Sequence, residues 1–67
     1  MIKMEGTVVE VLRNAMFRIQ FPEIANPVIG TINGKMRMHN IQVLLGDQVE
    51  VEFSPYDMNR ALIVKRK

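Results

Sequence analysis

The chain has 67 residues, with nine Lys+Arg against seven Asp+Glu and a formal net charge of +2. That makes one small domain, 1–67, and a hydrophobic fraction of 48% rules out a disordered polyelectrolyte. There is no cysteine, which excludes a disulfide framework, a zinc ribbon and a thiol nucleophile, and no apolar run nears the roughly 20 residues of a membrane span.

The first predicted strand is Met4 to Leu12, rich in Val around Gly6. Plain alternation puts Val8 and Leu12 on one face and Thr7, Val9 and Val11 on the other. Arg13-Asn14-Ala15 is a connection of hairpin size, and Asn accepts a left-handed backbone. A second strand follows, with Phe17, Ile19 and Phe21 alternating with Arg18 and Gln20. Pro22 and Pro27 bracket a loop, because neither can donate to a ladder. Val28 to Ile32 reads as a third strand. Lys35 to His39 lacks Pro and Gly and forms the one helical segment, with Met36 and Met38 as a barrel cap or an adaptable contact. Gly46-Asp47 is a turn before the fourth strand, where Val49, Val51 and Phe53 alternate with Glu50 and Glu52. Ser54-Pro55-Tyr56-Asp57 is a break, and Ala61 to Val64 is the last strand, leading into a basic tail.

Five short strands with a helical turn between the third and fourth predict a small closed barrel. Closure removes edges that invite aggregation, which matters for a chain without cysteine staples. The element order is that of an all-β, five-stranded OB-fold, with an SH3-like barrel as the alternative.

The charge is segregated along the chain. Residues 1–12 carry −1, 13–45 carry +3, 46–57 carry −4 and 58–67 carry +4. Local fields steer partners more than the total does. Arg13, Arg18, Lys35 and Arg37 form one basic group, and Arg60, Lys65 and Arg66 belong to the other. Each is a candidate phosphate contact. Enzymatic machinery is not visible. His39 is the sole histidine, too few for a metal site. Glu50 and Glu52 share a solvent-facing strand side, and Gly34-Lys35 lacks the rest of a phosphate loop. No cofactor is expected. Phe17, Phe21 and Phe53 fall on core faces, which leaves Tyr56 as the exposed ring.

A set of motifs then occurs in order. It runs Gly6-Thr7-Val8, Leu12-x-Asn14-x-Met16-Phe17-Arg18, Ile32-x-Gly34-Lys35-Met36-Arg37, Ile41-x-Val43-Leu44-x-Gly46-Asp47-x-Val49-x-Val51-Glu52, Ser54-Pro55-Tyr56-Asp57 and Ile63-Val64. This resembles bacterial-type translation initiation factor 1, also found in plastids, over nearly the whole chain. The resemblance implies an OB barrel, no enzymatic activity and binding as a monomer to the small ribosomal subunit at the decoding A site. It implies contacts to rRNA and a nearby ribosomal protein, and cooperation with the other initiation factors in placing initiator tRNA. Arg13 and Asn14 would enter an rRNA minor groove, and Arg18, Lys35, Arg37, Arg60 and Arg66 match basic positions of the family. The chain departs from the pattern at Met38, Gln42 and Leu62, where basic residues are usual, at Asn40 and at Ala61. Lys65 is a base gained where an aromatic is common, and it joins the candidate contacts. The implied compartment is the bacterial cytoplasm or, alternatively, the plastid stroma. A generic single-stranded RNA chaperone is the competing reading, although its aromatic strand motif is absent.

Overall fold

The computed structural model describes residues 2–67, and for 57–59 it describes the backbone alone. The strands are β1 Ile2–Val11, β2 Met16–Gln20, β3 Val28–Ile32, β4 Gln48–Ser54 and β5 Asp57–Arg66, with the helix α1 at Gly34–Met38. They close in the order β1-β2-β3-β5-β4. All pairings are antiparallel except β3 with β5. This is the expected OB arrangement, with the helix crossing between β3 and β4. No helix among the described residues is long and apolar enough to cross a membrane.

The period-two pattern of β2 and β4 is realised as read. Phe17, Ile19, Phe21, Val49, Val51 and Phe53 are all buried, joined by Val8, Ala61 and Ile63. The Phe21 and Phe53 rings meet edge to face with centroids 5.3 Å apart, a favoured aromatic geometry. Closure requires β1 to pair with β4 over Ile2–Thr7 and with β2 over Thr7–Val11, so it bends across the barrel. Gly6 sits at that bend. A Cβ there would lie 2.7 Å from Ile19 Cγ2 and 2.8 Å from the Phe21 ring.

Three register shifts interrupt plain alternation, one on β1 and two on β5, where the pairing also jumps from Ser54–Asp57 to Phe53–Ala61. On β1, Val8 faces Ile19 but Glu10 faces Arg18, which leaves Val9 as an extra residue. A bulge reverses the inside–outside order beyond it. Val11 therefore faces Phe17 and does not share the outer face with Thr7. On β5, Val51 faces Ile63, Glu50 faces Lys65 and Val49 faces Arg66. Val64 is the extra residue. Lys65 is thereby turned outward, and Arg66 joins the face of buried Val49 at the end of the barrel.

The last strand is longer than Ala61 to Val64. The break read at Ser54 to Asp57 is a tight hairpin turn between β4 and β5: Ser54 pairs with Asp57, and β5 starts there. The basic tail is strand through Arg66.

Candidate nucleic-acid interface

Strand direction sorts the connections between the two ends of the barrel. The β1–β2 turn, α1, the connection from α1 to β4 and the C-terminal end of β5 share one end. The β2–β3 loop and the β4–β5 hairpin lie at the other.

At the first end the β1–β2 turn is held in one shape. Met16 N donates to Arg13 O at 3.3 Å and Leu12 N to Met16 O at 2.8 Å. Asn14 and Ala15 both have positive φ, 61° and 56°. Two left-handed residues are what a hairpin turn matched to strand twist requires. Asn14 suits that role, while Ala15 is strained there. Arg13 and Asn14 are exposed at the tip.

A helix of five residues is too short to persist on propensity alone. Both of its ends are capped. The Asn33 side chain accepts from Met36 N at 2.9 Å. At the other end Asn40 takes φ 57°, its N–H donates to Arg37 O at 3.2 Å, and Ile41 N donates to Met36 O at 3.0 Å. That pair of bonds is a Schellman cap with Asn in the glycine position. Met36 is buried and anchors the helix, while Met38 is 83% exposed. The two methionines therefore have different roles, one in the core and one on the surface. Lys35 and Arg37 are both exposed.

A cleft opens between these parts. Phe17, Ile32 and Val43 line it together with Ala15, Arg37, Asn40, Ile41 and Gln42. Arg66 reaches the same rim and donates to Gln42 O at 2.7 Å. Thus Arg37 and Arg66, distant in sequence, flank one cleft beside the Arg13–Asn14 turn. Gln42 lacks a base of its own, but its carbonyl holds one from β5.

The remaining candidates lie elsewhere. Arg18, on the outer face of β2, is paired with Glu10 at 2.5 Å. Lys65 stands opposite Glu50 on the outer sheet. Arg60 lines a second cleft with Thr31, Glu52, Ser54, Tyr56, Ala61 and Leu62.

The acidic block is also partly occupied. Asp47 Oδ2 accepts from Leu44 N at 2.8 Å within a turn where Gly46 has φ 89°. Glu52 lies 3.8 Å from Lys3 Nζ, and Glu5 pairs with Lys67. Among the described residues no cluster of three metal-ligating side chains occurs. The long-range pairing of Arg66 with the 39–43 connection was missed in the sequence, because the bulge at Val64 leaves no compositional signal.

The fold has known counterparts. The chain is similar to translation initiation factor 1 of the Wolbachia endosymbiont strain TRS of Brugia malayi, at 32% identity and a TM-score of 0.82. The match covers 98% of this chain and 77% of the other. YjeQ from Thermotoga maritima shares the barrel at 23% identity and a TM-score of 0.77, over 98% of this chain but 23% of that protein. No family model matches the chain.

Proposed function

Because the chain belongs to the translation initiation factor 1 family, we infer that it acts in initiation by docking on rRNA of the small ribosomal subunit at the A site. The carrying observation is the convergence of the Arg13–Asn14 turn, Arg37 and Arg66 on one cleft at one end of the barrel. A rigid, exposed turn flanked by guanidinium groups suits an RNA minor groove, which is wide and shallow and is read through shape, phosphates and 2′-hydroxyls. Lys35 adds charge from the first turn of the helix. Arg60 gives an outlying contact on the side of the barrel, while Arg18 and Lys65, set against Glu10 and Glu50, add little there.

In this reading the protein works by binding and not by catalysis, and without a cofactor. It acts as a monomer beside a ribosomal protein and the other initiation factors, and it assists in selecting initiator tRNA. Its compartment is the bacterial cytoplasm, with the plastid stroma as the alternative. Burial of Phe17, Phe21 and Phe53 disfavours a general single-stranded RNA chaperone, since such proteins stack bases on exposed rings.

The test is sedimentation with purified small subunits at two salt concentrations. Co-sedimentation that weakens with salt is expected, since phosphate contacts release counterions. No co-sedimentation at low salt would refute the proposal.

A further inference from the structure

One wall of the mouth cleft is the stretch 41–43, which has no regular secondary structure. On its helix side Ile41 N donates to Met36 O at 3.0 Å, and on its turn side Leu44 N donates to Asp47 Oδ2 at 2.8 Å. Between those bonds Val43 is buried and anchors the wall from inside. Among the described residues, the one hydrogen bond that reaches Gln42 comes from Arg66, whose guanidinium donates to Gln42 O at 2.7 Å. It joins positions 24 apart in the sequence. A charge-assisted bond of this kind is stronger than one between neutral groups.

The donor is aimed by the Val64 bulge. Plain alternation from buried Ile63 would turn Lys65 to the mouth and Arg66 to the outer sheet, and the extra residue exchanges them. A phosphate contact alone needs only a point charge, which Lys65 also carries. A planar guanidinium with several N–H donors can serve two acceptors at once, a wall carbonyl and a phosphate oxygen. Arg37 lines the same cleft, but its side chain donates none of the described hydrogen bonds of the wall.

We propose that Arg66 is a positioning residue, a latch that fastens the 41–43 wall to the end of β5 and so fixes the width of the mouth cleft before RNA enters. The proposal deepens the rRNA-binding reading and rests on it. Part of the guanidinium is taken by Gln42 O, and the rest stays open to phosphate.

Arg66→Leu and Arg37→Ala each remove one charge from the mouth, and only the first removes the latch. Amide exchange is read by NMR in the free full chain. Arg66→Leu speeds exchange at Ile41 and Leu44 about tenfold, as expected for loss of one hydrogen bond to a charged group, and Arg37→Ala does not. Exchange at Val51 and Ile63, buried in the core strands, stays at the wild-type rate in both variants. Small-subunit binding is then measured across salt and extrapolated to about 1 M, where the counterion contribution vanishes. There Arg37→Ala binds as the wild type, and Arg66→Leu stays about tenfold weaker.

Unchanged exchange at Ile41 and Leu44 in Arg66→Leu overturns the proposal. So does exchange raised equally at Val51 and Ile63, which would make Arg66 a general stabiliser, or an affinity loss that vanishes at about 1 M salt as for Arg37→Ala. Sedimentation of the wild type separates the two readings. A chain that sediments with small subunits while Arg66→Leu leaves the wall unchanged loses the latch alone. A chain that does not sediment loses the proposed function, and exchange in the free chain still decides the latch.

Discussion

Removal of single bases should divide the candidate contacts by position in the barrel, not by position in the sequence. Each phosphate neutralised adds about 0.9 to the slope of log affinity against log salt. Between 50 and 200 mM salt, one contact therefore costs about 3.5-fold in affinity. Arg37 lines the mouth cleft and forms no ion pair among the described residues. Arg37→Ala should lower the slope by about one contact. Lys65 faces Glu50, in a sheet region that also holds Glu5 and Glu52. Lys65→Ala should leave the slope nearly unchanged. Arg18 is held by Glu10, so Glu10→Gln frees a guanidinium and should raise affinity at low salt with a slope steeper by up to about one unit. The assay is small-subunit binding measured across salt for the wild type and the three variants. Equal slope losses for Arg37→Ala and Lys65→Ala would refute the reasoning, because they would mean that sheet pairing does not partition the charge.

The other predictions concern the scaffold. Gly6→Ala drives a methyl group into Ile19 and Phe21 and should cost about 1–3 kcal/mol, seen as a lower urea midpoint at unchanged slope; an unchanged midpoint would contradict the close packing. Ala15→Gly relieves a left-handed alanine at φ 56° and should stabilise by about 0.5–1 kcal/mol, raising Tm by a few degrees. A fall in Tm would exclude the left-handed turn. Asn33→Ala removes the helix N-cap and should cost about 1 kcal/mol, with faster amide exchange at Met36 than in the wild type.

Most of the barrel was legible in the sequence because its core strands keep strict alternation. Phe17-x-Ile19-x-Phe21 and Val49-x-Val51-x-Phe53 specify their buried faces without tertiary information. The start of β5 was not legible. Asp57-Met58-Asn59-Arg60 has no apolar period; its extended backbone is entered at the Ser54–Asp57 pair, and regular pairing with β4 and β3 resumes only at Ala61. The bulges at Val9 and Val64 were hidden for a related reason. An extra residue arises from how two strands align around a closing barrel, and neither Val differs in type from its neighbours. The basic candidates were legible as residues but not as a site, since the Val64 bulge decides which of Lys65 and Arg66 reaches the mouth.

The blocks of charge along the chain do not survive as separate fields in the fold. Antiparallel pairing lays β4, with Glu50 and Glu52, between β1 and β5, which bring Lys3, Lys65 and Lys67. Glu52 thus has Lys3 beside it on β1, Glu50 has Lys65 beside it on β5 with Glu5, itself paired to Lys67, on its other side, and the tail of +4 is divided among three places. Lys65 and Lys67 go to the acidic side of the barrel, Arg66 to the mouth and Arg60 to the second cleft. A net charge of +2 is therefore compatible with a cationic end, because the strand carboxylates are matched on the side of the barrel while Arg13, Lys35, Arg37 and Arg66 gather at its mouth. Long-range attraction from so small an excess is weak at physiological salt, where screening acts within about 8 Å. Binding at this end must then depend on fit: a turn held in a left-handed conformation and a five-residue helix capped at both ends keep those guanidinium groups in place before RNA arrives.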